Sequence, residues 1–207
     1  MYSSFKRFMD VVLSLLALIA LSPVMLIVAI IIKLTSPGPV IFVQKRVGKD
    51  GKVYDMYKFR SMCVGAEQQE GGVFCTKGDA RVTPIGKFIR ATSIDELPQL
   101  VNIIKGEMSL IGPRPVLTYY PKNWEEYTQE ELKRFDVLPG VTGWAAVHGR
   151  KTNTVEARFA YDNYYVDNLS FSLDLKIFFM TIKSVLTNEG NEDDGSAETV
   201  AAKKDSE

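Results

Sequence analysis

The chain has 207 residues, 46% of them hydrophobic and 24% charged, which bounds it to one core-forming domain plus an appendage. Its 25 basic and 25 acidic residues cancel to +0, yet from Asn188 onward seven acids face two bases, leaving 23 bases against 18 acids (+5) on the preceding residues. A single histidine, His148, and two cysteines without close-spaced partners, Cys63 and Cys75, exclude zinc motifs, a disulfide framework and most imidazole-based metal sites.

The first element is apolar. After Lys6, Arg7 and Asp10, the run Val11 to Ile32 is interrupted only by Ser14, Ser22 and Pro23. About 22 helical residues reach roughly 33 Å, enough for the hydrocarbon core of a bilayer. The run is too long for a signal-peptide core, and no small-residue cleavage site precedes Lys33, so the pattern predicts a membrane-resident segment. Pro23 cannot donate to the Ile19 carbonyl, which predicts a kink there. Two topologies remain open. A kinked spanning helix is modestly favoured by the run itself. A helix-break-helix hairpin is favoured by basic residues on both flanks, Lys6 and Arg7 before it and Lys33, Lys45 and Arg46 after it. A basic body also suits an anionic membrane surface or phosphorylated ligands.

Thr35 to Pro39 is a break. Val40–Val43 and Val53–Phe59 then read as strands of a hairpin around the turn Gly48–Gly51. Lys58 and Arg60 lie two apart, on one face if the strand continues, within reach of a ligand phosphate. Met62 to Ala80 reads as a Gly-rich mobile loop, and Arg81 to Arg90 as a turn and a short helix.

Arg90 to Pro115 organises the rest. Leu97, Leu100, Val101 and Ile104 form one apolar helical stripe. Ser93 precedes Glu96 by three residues, predicting a capping box, with a helix starting near Asp95, Pro98 in its first turn and Gly106 as its C-cap. The ordinary reading of Asp95 and Glu96 is an acid pair offsetting the helix dipole. The sharper one is chemistry on a phosphate, because a carboxylate can attack phosphorus and an arginine fork such as Arg114, held between two prolines, suits phosphate oxygens.

Downstream, Asn123 to Phe135 reads as a polar surface helix with mostly solvent-facing charges, and Val137 to Trp144 as a turn-rich connector. Thr154 to Tyr165 is a helix whose Phe159, Tyr161 and Tyr164 read as packing. Ser172 to Leu186 is an apolar helix, short for spanning and suited to the core or the membrane plane. The tail from Asn188 is acidic and expected to be disordered. The divisions are thus 1–35, the membrane segment; 36–187, the body of the chain; and 188–207, the tail.

Several separated segments together carry a resemblance. They are Lys58-Phe-Arg-Ser-Met62, Asp95-Glu-Leu-Pro-Gln-Leu100, Asn102, Gly106-Glu-Met-Ser109, Ile111-Gly-Pro-Arg-Pro115, Pro139-Gly-Val-Thr-Gly-Trp144 and Gly149-Arg150. In this order, behind an apolar segment with a central Ser-Pro, the chain resembles the bacterial sugar transferases and, more narrowly, the small monotopic phosphoglycosyl transferases. The resemblance implies a mainly helical α+β fold with a re-entrant N-terminal segment broken at Ser22 and Pro23 and a compact domain on the cytoplasmic face of the bacterial inner membrane. It implies transfer of a sugar-1-phosphate from a UDP-sugar donor to undecaprenyl phosphate, with release of UMP. Asp95 would be the nucleophile and a ligand of Mg²⁺, and Glu96 its acid/base or metal-supporting partner. Arg114 would grip phosphate, with Arg90, Lys58, Arg60 and Arg150 as weaker candidates, and Asp162 and Asp174 would support the site or the nucleotide. The implied partners are the two substrates and membrane lipid, not nucleic acid, with a homodimer left open. The motifs specify the reaction and not the sugar, with a slight lean to an N-acetylated one. A catalytically silent membrane scaffold for polysaccharide assembly is the alternative.

Overall fold

Helix α1 (Tyr2–Thr35) is the longest element of the computed structural model, which describes residues 2–69, 72, 75, 78–148 and 154–186. It is long and apolar enough to cross a membrane. The expected interruption at Ser22–Pro23 is not a break: Pro23 lies inside one continuous helix. The Ser22 hydroxyl donates to the Ile19 carbonyl at 2.8 Å, the same carbonyl that Pro23 cannot reach, so the lost backbone bond is replaced by a side chain.

Both halves of α1 pack on the rest of the chain. At its start, Lys6 pairs with Asp174 at 2.7 Å, Arg7 donates to the carbonyls of Ile103 and Ile104, and buried Asp10 accepts from the Ser109 hydroxyl and the Leu110 N–H. Near its end, Val28 and Ile32 join Phe59 and Ile89 in one buried cluster. Between them, residues 19–24 are exposed except for half-buried Leu21.

The hairpin forms as expected, though longer. β1 (Ile41–Val47) and β2 (Val53–Phe59) are antiparallel, in register from Ile41 opposite Phe59 to Val47 opposite Val53. Then come α2 (Pro84–Ala91), α3 (Gln99–Lys105), β3 (Ser109–Ile111) and β4 (Val116–Leu117), which adds a third strand beside β1. The polar surface helix expected over Asn123–Phe135 is instead a series of short turns. Two capping boxes, Asn123 with Glu126 and Thr128 with Glu131, restart the backbone twice and leave α4 only four residues (Gln129–Leu132). β5 (Gly140–Thr142) lies in the predicted connector and pairs in parallel with β3. α5 (Trp144–Val147), α6 (Val155–Asp167) and α7 (Phe171–Leu186) complete the fold. On α6, Phe159 is core, as expected, whereas Tyr164 is 48% exposed. Parts of the Met62–Ala80 loop, the Gly149–Arg150 motif and the acidic tail lie outside the described residues.

Candidate active site

The site begins with a clamp between α3 and β2. Asn102, fully buried, accepts from the Tyr57 N–H at 3.0 Å and donates to the Asp55 carbonyl and the Glu107 carboxylate, both at 2.7 Å. An amide has just the mixed donors and acceptor needed to satisfy an exposed strand edge from a helix. Leu100, Ile103 and Met108 pack with Tyr54 and Met56 beneath it.

The acid pair sits one step earlier than the capping-box expectation placed it. Ile94–Glu96 is a separate 3₁₀ turn, Pro98 is the N-cap of α3, and Ser93 takes a left-handed φ of 55° with no side-chain cap. The apolar stripe shifts accordingly: the buried face is Gln99, Leu100, Asn102 and Ile103, while Val101 is exposed. Gly106 does close the helix, with φ of 88°.

Lys58 reaches Glu96 across this junction, Nζ to Oε1 at 3.0 Å, and both side chains are largely buried. A shallow open pocket is lined by Arg46, Met56, Lys58, Glu96, Gln99, Arg114, Pro115, Gly140 and Val141. Asp95 is half-buried beside Glu96 on the same turn.

Arg114 projects into solvent while Pro113 and Pro115 on either side are buried. Two features fix its backbone. A Cβ on Gly140 would fall within 3.0 Å of the Gly112 backbone, so the two loops touch back to back and glycine is needed at the contact. The Arg114 carbonyl accepts from Arg134 Nη2 at 2.7 Å, and that same nitrogen lies 2.7 Å from Asp162 Oδ2 in a pair with almost no solvent contact. Burial pushes the Asp162 carboxyl up and the Arg134 guanidinium down, and each partner's charge opposes that drift.

Of the expected phosphate residues, Lys58 and Arg114 share the pocket with Glu96. Arg90 is half-buried in the last turn of α2. Arg60 is elsewhere: β2 ends at Phe59, and the buried guanidinium donates to the Ser36 and Pro37 carbonyls, tying down the chain after α1. Asp162 reaches the site only through Arg134 and Arg114. Asp174 accepts from Lys6 and Tyr165 and anchors the start of α1. Arg150 lies outside the described residues. Arg46 and Gln99 line the pocket without having been singled out in the sequence, where Arg46 was one of a crowd of basic residues. The signal was strand parity: on β1, Gln44 and Arg46 alternate with exposed Val43 and Lys45, a polar face turned inward.

The chain matches the family described as bacterial sugar transferase over residues 1–188. It belongs to the bacterial sugar transferases. Among its relatives, the Aeromonas hydrophila UDP-N-acetylgalactosamine-undecaprenyl-phosphate N-acetylgalactosaminephosphotransferase is 45% identical over 91% of this chain and 45% of its own length. The Klebsiella pneumoniae UDP-glucose:undecaprenyl-phosphate glucose-1-phosphate transferase is 44% identical over 86% of this chain and 39% of its own length. The Rhizobium leguminosarum exopolysaccharide production protein PSS is 43% identical over 88% of this chain and 95% of its own length. The chain thus spans less than half of the first two relatives and nearly all of the third.

Among the described residues, no three His, Cys, Asp or Glu side chains converge into a metal cage. The carboxylates at or beside the pocket that could contribute to a Mg²⁺ site are Glu96 and Asp95, and such a hard cation would take its remaining oxygens from a phosphorylated ligand and water.

Proposed function

We propose that the chain is a phosphoglycosyl transferase that moves a sugar-1-phosphate from a UDP-sugar to undecaprenyl phosphate. The observation that carries the reading is the convergence of Lys58, Glu96 and Arg114 in one pocket beside the Asp95 turn. An Asp95 oxygen attacks the phosphorus bonded to the sugar, the bond from that phosphorus to UMP breaks, and UMP leaves. An oxygen of undecaprenyl phosphate then attacks the same phosphorus and frees the carboxylate, giving a polyprenyl-diphospho-sugar. Lys58 holds Glu96 in position as the acid/base partner, and Arg114 grips phosphate oxygens. When bound, Mg²⁺ held by Asp95 and the donor diphosphate would supply charge neutralisation.

The topology we infer is re-entrant, with the body on the cytoplasmic face of the inner membrane, where a soluble UDP-sugar meets a lipid-borne acceptor. Support comes from α1, whose start and end both pack against the same body, the arrangement expected of a segment that enters and leaves by one face. The exposed Phe178 and Phe179 of α7 supply further apolar surface for the membrane plane. In a variant lacking Cys63 and Cys75, a cysteine at Ser3 is expected to react with impermeant reagents only from the cytoplasmic side. With Ser22→Ala and Pro23→Ala added, the helix regains its backbone bond and labelling is expected from the opposite side. Unchanged one-sided labelling would remove the Ser-Pro pair from the argument.

Intact-protein mass after incubation with UDP-sugars and Mg²⁺, without acceptor, tests the reaction. A gain equal to one sugar phosphate, reversed by undecaprenyl phosphate, is the expected result and identifies the sugar. No gain with any donor, alongside turnover when acceptor is present, would replace the covalent route by direct transfer.

A further inference from the structure

Arg46 stands on β1 opposite Tyr54 of β2 and Leu117 of β4, in the middle of the three-stranded sheet. Facing residues of antiparallel strands share a face, so Arg46 and Gln44 lie on the same side as Tyr54, Met56 and Lys58. That side forms the floor of the pocket.

The guanidinium is aimed rather than neutralised. Gln44 Oε1 accepts from Arg46 Nε at 2.9 Å and from Nη2 at 2.5 Å, and the Pro115 carbonyl accepts from Nη1 at 3.1 Å. Gln44 is itself braced, its amide donating to the Glu67 carboxylate. Among the described residues both acceptors of Arg46, Gln44 Oε1 and the Pro115 carbonyl, are neutral groups. A guanidinium has five N–H donors, and three are used among the described residues, which leaves one on each terminal nitrogen for an acceptor in the pocket that Arg46 lines.

The surroundings demand an anion. Burial and the neighbouring Arg114 hold Arg46 down to about 10, well below the ordinary arginine value. The pocket lining brings Arg46, Lys58 and Arg114 together against one lining carboxylate, Glu96, which Lys58 already engages. Two guanidiniums placed side by side in a half-desolvated pocket repel until a multivalent anion bridges them.

We propose that Arg46 is a phosphate-binding residue of this pocket, its remaining N–H edge taking a diphosphate oxygen of the donor beside Arg114, with Gln44 as the residue that positions it. This rests on the transferase reading, because the anion assigned is the donor's diphosphate.

The test uses the full-length enzyme with UDP and uridine as probes, read by calorimetric affinity and by the rise in melting temperature, together with the donor KM. Arg46→Gln is expected to weaken UDP binding about 10- to 100-fold, as loss of a charge-assisted bond does, and to raise the donor KM, while uridine binding is unchanged. Arg46→Lys keeps the charge without the fork and is expected to fall between the two. If Arg46→Gln lowers the melting temperature but keeps the wild-type UDP affinity and donor KM, Arg46 only braces the sheet and the proposal is overturned. If Arg46→Gln does not fold, wild-type UDP affinity in Arg46→Lys overturns it equally. A wild-type enzyme that binds UDP no better than uridine would overturn the underlying transferase reading as well.

Discussion

Asp95→Asn is expected to abolish both turnover and the covalent adduct, with a loss of about 10⁴-fold or more, the scale seen when a nucleophile is removed. The carboxamide matches the carboxylate in size, so the 3₁₀ turn Ile94–Glu96 and the Pro98 cap of α3 persist. What disappears is the anionic carboxylate oxygen that the proposed covalent step requires. Glu96→Gln makes a useful contrast, because it leaves Asp95 intact but takes away the partner of a largely buried Lys58. It is expected to retain at most a trace of turnover while its UDP affinity survives, since Arg114 remains. Steady-state turnover and adduct mass for both variants check this. Full turnover in folded Asp95→Asn would sink the nucleophile assignment and leave Asp95 as a binding group.

The parts of this site legible in the sequence are those whose signal is local. The Asp95-Glu96 pair and the Pro-flanked Arg114 stand out from their neighbours, and Gly106 announces a helix end by its freedom at positive φ. The hairpin was legible from its alternation and its turn. Less local features were not. The start of α3 was misplaced because Ser93 has a cap's identity but a left-handed backbone that turns it away from capping. Arg60 looked equivalent to Lys58 by spacing, yet the strand ends at Phe59, and the next side chain turns to the carbonyls of Ser36 and Pro37. The charges of Asn123–Phe135 looked solvated, but Arg134 is buried against Asp162, twenty-eight positions away, a pairing that no periodicity reveals. Arg46 was hidden by company: Lys45, Lys49 and Lys52 nearby are exposed, and only the strand's inward polar face distinguishes it.

The Arg134–Asp162 pair carries the second large effect. Asp162→Asn is expected to destabilise the protein by about 3–5 kcal/mol, because it strands a buried guanidinium without its counter-charge. For a chain of this size that is a drop in melting temperature of roughly 6–20 °C. Replacing both partners, Arg134→Met with Asp162→Leu, removes two desolvated charges together and is expected to recover most of that stability. The rate is a separate matter. Arg134 Nη2 also holds the Arg114 carbonyl, so in the double variant this acceptor loses its donor and the arginine loses its fixed backbone. Stability and activity should therefore part company: the double variant melts near the wild type but turns over slowly with a raised donor KM. Thermal denaturation and steady-state kinetics on the same preparations make the comparison. If the double variant regains stability and full rate together, the pair is only scaffold. If it regains stability alone, Asp162 serves the phosphate site from a distance, through one guanidinium and one carbonyl.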